Sequence, residues 1–261
     1  MADLSFEHII YEKRGPVALL TINREQALNA IAGQTSQEML QAWEDFRDDP
    51  DLRVAILTGV GEKSFSTGMD LVATARGENQ FAGRPAPFGG FTKRFPIYKP
   101  IIAAINGFCL AGGMELALTC DIRICTPEAR FGLPEVRWAI MPGAGGTQRM
   151  PRAIPQAWAN YLILTADQMD AETALRIGLV SHIVPRAELL ERAMQIANTI
   201  CERGPLAVRA AKEAILRGMD MPLDNGLAYE DLVLQRLMTT EDAREGPRAF
   251  AEKRKPEYKG R

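Results

Sequence analysis

Between Pro100 and Asp121 the chain reads PIIAAINGFCLAGGMELALTCD, which demands a buried strand, a turn and a helix in immediate succession. Ile101 to Ile105 is a continuous apolar run rich in β-branched residues, and Lys99-Pro100 stops any helix from running into it. Asn106-Gly107 breaks the run. Met114-Glu115-Leu116-Ala117-Leu118 are good helix formers, so a helix is predicted to begin near Gly112. Two glycines at a helix start admit another molecule close to the backbone, where the unpaired N–H groups carry the positive end of the helix dipole. A ligand oxygen that gains negative charge is stabilised at such a point. Glu115 falls one turn into this otherwise apolar helix, and a buried unpaired carboxylate costs several kcal/mol, so the position requires a partner or a purpose.

The rest of the chain supplies further units of the same kind. Two β-rich runs, residues 6–12 and 17–22, flank Lys13-Arg14-Gly15-Pro16 and predict an antiparallel hairpin. A loop over 23–30 leads to a helix over 35–46, where Met39, Leu40, Trp43 and Phe46 at helical spacing form a core face. Residues 54–58 predict a short buried strand. In 64–71, SFSTGMDL, a strand-like run again meets a glycine and then an acidic residue able to cap a helix, in parallel with the Gly112 region. Residues 76–95 interleave glycines and prolines with Phe81, Phe88 and Phe91, as either a partly apolar lid or a passive surface loop. Residues 121–125 predict another strand. Residues 141–147 predict a glycine-rich turn without the Gly-Lys-Ser/Thr ending of a nucleotide P-loop or the setting of a dinucleotide fingerprint. From Pro155 the pattern turns helical, over 158–164, 170–177, 186–201, 206–217 and 225–238, with one last strand around 178–184.

Composition narrows the function classes. A chain of 261 residues, 46% hydrophobic and 25% charged, has the make-up of a soluble globular protein with a sizeable core. Its formal charge of −2 and the absence of a long basic run argue against a nucleic-acid footprint, with the basic end from Arg244 to Arg261 as a partial exception. Cys109, Cys120, Cys125 and Cys201 lie in apolar surroundings without CxxC spacing, as reduced thiols in a reducing compartment do. The N-terminal stretch has acidic residues and no extended apolar core, and no apolar run reaches the length of a membrane span, so a cytoplasmic location is expected.

The usual catalytic groups are scarce. Only His8 and His182 are available, no serine sits in a G-x-S-x-G turn, and no acidic or histidine cluster has metal-ligand spacing. The carboxylates remain. Glu115 and Glu135 cannot share a helix, because Pro127 and Pro134 lie between them, so the fold alone can bring them together. Glu115 could instead pair with a core arginine, and Glu135 could be a first-turn helix residue favoured by the dipole.

Seven separate stretches, in order, make the whole chain resemble the crotonase family, the enoyl-CoA hydratase/isomerase superfamily. They are Asn23-Arg24 with Ala27-Leu28-Asn29-Ala30; Ser64 through Gly68-Met69-Asp70-Leu71; and Lys99-Pro100 through Asn106-Gly107 to Gly112-Gly113-Met114-Glu115. Cys120-Asp121, Phe131-Gly132-Leu133-Pro134-Glu135, Pro142-Gly143-Ala144-Gly145-Gly146-Thr147 and Ala249-Phe250-Ala251-Glu252-Lys253 complete the set. The resemblance implies an α/β fold, a spiral of ββα units over residues 1–200 carrying an acyl-CoA site, followed by a helical trimerisation region over 201–261. A homotrimer or a hexamer built as a dimer of trimers is implied too. It also implies a thioester enolate held in an oxyanion hole by the backbone N–H groups of Met69 and Gly112. Such donors are worth roughly 3 kcal/mol each in other systems.

Glutamate stands at both positions that flank the double bond in true hydratases, Glu115 and Glu135. The resemblance therefore implies hydration of a 2-enoyl-CoA to a 3-hydroxyacyl-CoA, reversibly, in fatty acid metabolism. Glu115 would accept the water's proton, Glu135 would deliver one to C2, and the Gly143 N–H would help hold the water. Coenzyme A is then part of the substrate and no separate cofactor or metal is implied. It would lie along the Arg24 loop at Ala27 and Ala30, with Phe250 and Lys253 closing over it from a neighbouring subunit. The chain departs from the commonest hydratase pattern at Ala111, in place of a third glycine, and at Trp138-Ala139, in place of a glycine-containing run. Residues 76–95 look like the corresponding segment of carnitinyl-CoA dehydratases. That activity, or double-bond isomerisation, is the alternative within the family, and a non-catalytic CoA-binding or assembly subunit is the alternative outside enzymes.

Overall fold

The computed structural model describes residues 6–77, 86–93 and 96–261. The chain opens with the predicted hairpin, in which β1 (Ile9–Arg14) pairs antiparallel with β2 (Val17–Ile22). β1 starts later than the β-rich run and reaches Arg14, because Gly15, at φ +59°, confines the turn to Gly15-Pro16. After α1 (Gly33–Asp48) come β3 (Val54–Gly59), β4 (Ser64–Ser66) and α2 (Leu71–Ala75). The same order recurs as β5 (Ile101–Ile105), β6 (Phe108–Leu110) and α3 (Gly112–Thr119). It recurs again as β7 (Ile122–Cys125), β8 (Arg130–Gly132), a 3-10 turn at Pro134–Trp138, and α4 (Gly146–Ala153). α5 (Gln156–Thr165), β9 (Met169–Asp170), α6 (Ala171–Arg176), β10 (His182–Ile183) and α7 (Leu189–Cys201) follow. The chain ends in α8 (Pro205–Gly218), α9 (Leu223–Met238) and α10 (Glu241–Ala251).

Unlike the opening hairpin, whose two strands share one sheet, each of the pairs β3–β4, β5–β6 and β7–β8 places its first strand in one sheet and its second in another. The larger sheet has the order β1-β2-β3-β5-β7-β10 and the smaller β4-β6-β8-β9. Strands β2, β3, β5 and β7 run parallel, and both faces of the sheet are covered, which is why they read as continuous apolar runs. Side chains of alternate parity divide between two cores. Ala18, Leu20, Ile22, Ala55, Leu57, Ile101, Ala103 and Ile105 join Trp43 and Phe46 of α1. Val17, Leu19, Val54, Ile56, Ile102 and Ala104 meet Leu189, Ala193 and Ala197 of α7. Lys99, 4% exposed, donates to the carbonyls of Phe46 (2.7 Å) and Asp49 (2.5 Å) and so satisfies the C-terminal end of α1; burial pulls its pKa down to about 8.

The last helices are built differently. α8 buries only Pro205 and α9 only Val233, while Ile215, Met219, Leu223, Leu232 and Met238 are all more than half exposed. Among the described residues no helix is long and apolar enough to cross a membrane. The glycine-rich turn expected over 141–147 leads at Gly146 into α4, a helix the sequence pattern did not reveal, and α10 runs into the basic end, inside the region that the resemblance makes helical but where no separate helix was read. Each holds a proline in its interior, Pro151 and Pro247, which hid the helical pattern. β6, β8 and β9 were likewise unforeseen, because strands of two or three residues carry no periodicity. Of the segment 76–95, residues 78–85 and 94–95, with Phe81, Gly83 and Pro85, lie outside the described residues.

Candidate active site

The small sheet assembles the site. β4, β6 and β8 are parallel neighbours, with Ser64 beside Phe108, Cys109 beside Phe131 and Leu110 beside Gly132. All three therefore exit at the same end, where open parallel sheets place their ligands. β4 leads to Met69, β6 to Gly112 and Glu115, and β8 to Glu135. Sequence separations of tens of residues collapse to neighbouring strand ends.

The two glycine turns meet at this end. Gly68, at φ +87°, has its α-carbon so close to the start of α3 that an added Cβ would lie 2.5 Å from the Gly112 nitrogen. A Cβ on Gly113 would lie 2.2 Å from the Ser66 carbonyl oxygen, so only glycine allows α3 to start against β4. Gly112 is the first residue of α3, and a first-turn N–H has no acceptor within its own helix. Met69 bridges Ile31 in parallel: the Ile31 N–H donates to the Gly68 carbonyl (2.7 Å) and the Asp70 N–H to the Ile31 carbonyl (3.1 Å). In such a bridge the N–H of the central residue points away from the partner strand. Ala111 sits at φ 50°, ψ −129°, a conformation that costs a residue with a Cβ of order 1–3 kcal/mol and that elsewhere is left to glycine. The ring of Phe88 covers Gly112, 2.4 Å from where a Cβ would stand.

The two carboxylates have unlike surroundings. Glu115, 3% exposed, uses Oε1 to accept the N–H groups of Ala144 and Gly146, both at 2.7 Å, from the start of α4. Burial raises its pKa, and those two donors, with the charge of Arg149, oppose the rise. Arg149 makes no ion pair with Glu115; its guanidinium donates to the Ala144 carbonyl (3.0 Å) and the Thr92 carbonyl (2.6 Å), holding the loop that Glu115 reads. Glu135, 7% exposed, has a buried Oε2 with no hydrogen-bond partner. Burial first, and then the charge of Glu115, raise its pKa to about 7 against the pull of its own backbone N–H. Glu115 is near enough for its charge to add to that rise.

The other expected residues fall at several distances from this centre. Gly143 is exposed in the loop just before Ala144. Ala27 and Ala30 lie on the loop ahead of Ile31, where Leu28 and Asn29 both adopt positive φ and Asn29 donates to the carbonyls of Val60 (3.0 Å) and Ser64 (2.6 Å). Arg24 donates to the Asp70 carboxylate (2.9 Å) and the Ala30 carbonyl (2.6 Å). Phe250 is 87% exposed at the end of α10, and Lys253 follows at φ 54°. Among the described residues no hydrogen bond or ion pair joins either of them to the strand ends. The sequence reading missed the N–H groups of Ala144 and Gly146, although glycines ahead of an uncounted helix were their signal. A separate open cavity of about 460 Å³, lined in part by Trp158, Tyr161, Asp167 and Asp170, shares no residue with the site. Its aspartates are engaged, Asp167 by the Tyr161 hydroxyl (2.5 Å) and Asp170 by the Thr173 N–H (2.8 Å), so it offers no matched acid–base pair.

Comparison with known proteins shows the family and the fold. A family model described as enoyl-CoA hydratase/isomerase matches residues 12–261. A carnitinyl-CoA dehydratase of Salmonella typhi is 44% identical over 260 residues, covering 98% of this chain and 99% of its own. Among solved structures, an enoyl-CoA hydratase from Mycobacterium marinum superposes with a TM-score of 0.92 at 40% identity, over 97% of this chain and 99% of that one. One from Bacillus anthracis gives 0.90 at 39%, over 98% and 100%.

Proposed function

Since the chain belongs to the enoyl-CoA hydratase/isomerase family, we propose that it adds water across the 2,3 double bond of a 2-enoyl-CoA and reverses that reaction. The observation that supports this reading is the pair of buried glutamates, one held by two backbone donors and the other with an unpartnered oxygen and its pKa raised to about 7, in a fold where the Gly68 and Gly112 turns pack against each other. The Met69 and Gly112 N–H groups hold the thioester oxygen. As the oxygen of water bonds to C3, its proton passes to Glu115 and the electron pair of the double bond moves onto the thioester oxygen as an enolate. The enolate collapses as neutral Glu135 gives its proton to C2. The donors stabilise charge that exists only in the transition state and the enolate, the condition under which binding becomes catalysis. The pair holds one proton before and after each turnover: hydration leaves Glu115 with a proton from water and Glu135 ionised, its proton now on C2, and dehydration reverses both transfers. Gly143, next to the loop held by Glu115, adds an N–H for the water.

A second reading within the family is dehydration of a carnitinyl-CoA, supported by the relatives at 44% identity that bear that name. Trp138 favours it. It lies three residues beyond Glu135 in the 3-10 turn, where side chains at that spacing eclipse, and at 65% exposure its ring is open to a quaternary ammonium group. The helical end from α8 onward, with its exposed leucines and methionines, fits a trimer interface, and Phe250 and Lys253 would then reach a neighbour's coenzyme A. The test is loss of the conjugated enoyl-thioester absorbance with crotonyl-CoA and, in parallel, with crotonobetainyl-CoA. Turnover of the first by the wild type but by neither Glu115→Ala nor Glu135→Ala supports hydration through the pair. Turnover of the second alone moves the assignment to the carnitinyl substrate. Binding of coenzyme A without turnover of either identifies a non-catalytic subunit.

A further inference from the structure

The Met69 N–H is held from behind by a closed ring of interactions. Asp70 divides its carboxylate, Oδ1 accepting the Ala73 N–H at the start of α2 (3.0 Å) and Oδ2 accepting Arg24 Nη2 (2.9 Å). The other Arg24 nitrogen, Nη1, donates to the Ala30 carbonyl (2.6 Å), and Ala30 immediately precedes Ile31, the residue that brackets Met69. The side chains of the pair are only 16% and 11% exposed. Burial raises the Asp70 pKa, but the Ala73 N–H and the Arg24 guanidinium outweigh it, and the net shift is downward. One planar guanidinium thus spans a carboxylate on one side of Met69 and a carbonyl on the loop that pairs with it, a geometry a single ammonium cannot reproduce.

We propose that Arg24 and Asp70 are positioning residues for the oxyanion hole, acting through the backbone to aim the Met69 N–H at the thioester oxygen. This inference rests on the acyl-CoA reading. It gives Arg24 a task at the carbonyl end of the substrate in place of a contact with coenzyme A. The loop at Ala27 and Ala30 would take up the nucleotide end, so both ends of the substrate engage one bonded unit, and binding energy at the nucleotide supports alignment at the carbonyl.

The test uses the full-length chain with Arg24→Met, Arg24→Lys and Asp70→Asn, and two readouts. Butyryl-CoA carrying carbon-13 at the thioester carbonyl cannot be hydrated, and the fall in its carbonyl stretch on binding, seen by isotope-edited infrared spectroscopy, reports the donors. Steady-state kinetics with crotonyl-CoA separate kcat from KM. Arg24→Met and Asp70→Asn are expected to reduce the carbonyl shift and lower kcat by about 10- to 100-fold, with the Kd for butyryl-CoA changed by less than about 3-fold. Arg24→Lys recovers part of both. A rise in KM and Kd with kcat and the carbonyl shift intact would overturn the proposal and assign Arg24 to coenzyme A. If Arg24→Met does not fold, Asp70→Asn carries the test, because its amide oxygen still caps α2. No binding or no carbonyl shift in the wild type refutes the acyl-CoA reading and the proposal with it; a normal wild-type shift that the variants retain refutes the positioning role alone.

Discussion

The start of α3 and the 3-10 turn after β8 each deliver one glutamate to the same strand ends, yet they prepare it in opposite ways. At α3, Glu115 finds two backbone donors on one oxygen, and these keep a carboxylate charge tolerable in a buried place. At the 3-10 turn, Glu135 finds none for its buried oxygen and titrates near neutrality. Two chemically identical side chains are thereby given unlike surroundings, which is what the proposed division into base and acid needs.

The largest effect should come from the base. Glu115→Gln retains an oxygen for the Ala144 and Gly146 N–H groups, so the fold should persist while kcat for crotonyl-CoA falls by about 10³-fold. An unchanged Tm with that loss in kcat sharpens the contrast, and retention of activity breaks it.

The acid makes a prediction about stability. Its folded pKa is raised from an ordinary 4.5 to about 7, so the native state binds more protons than the unfolded chain between those values. Stability is full below the lower value and is lost as pH rises through the upper one. At roughly 1.4 kcal/mol per unit the loss is about 3 kcal/mol, and Glu135→Gln should abolish it in denaturant titrations across that pH range. An identical pH dependence in the variant would show that Glu135 is not held neutral.

Packing beneath the base is tested by Gly113→Ala. Its Cβ would stand 2.2 Å from the Ser66 carbonyl, forcing α3 from β4 at a cost of roughly 1–3 kcal/mol, measured as a lower denaturation midpoint. The smallest effects concern two alanines at positive φ, Ala111 in place of a third glycine and Ala139 in the run that more usually contains glycine. Ala111 lies at φ 50°, ψ −129° and Ala139 in the left-handed helical region at φ 56°, ψ 29°. Ala111→Gly should stabilise the protein by up to about 1 kcal/mol, and Ala139→Gly by less, because its conformation is the more accessible to a residue with a Cβ.

Much of this was readable in the chain. The strand at Ile101–Ile105 and the helix starting at Gly112 fall where the apolar run and the paired glycines put them, because both signals are local. The capping role of Asp70 was equally local. The packing of the Gly68 turn against Gly112 was not legible in any local signal and came only as what the resemblance implied, since it depends on β4, β6 and β8 lying side by side, and three-residue strands leave no pattern to read. The Arg24–Asp70 pair escaped for a related reason: an arginine on a loop looks available to a phosphate until the fold brings it a carboxylate. Residues at the end of the chain, Phe250 and Lys253, were read from resemblance alone, and the single chain leaves them at its surface.

The pH dependence of kcat/KM for crotonyl-CoA hydration is the most direct test of the proposed base, Glu115, and acid, Glu135. The wild type should give a bell whose alkaline limb falls near pH 7, as the pair loses its proton. In Glu135→Gln the residual rate should keep the acid limb and lose the alkaline one. An alkaline limb near pH 7 that survives in Glu135→Gln would contradict the assignment of acid and base.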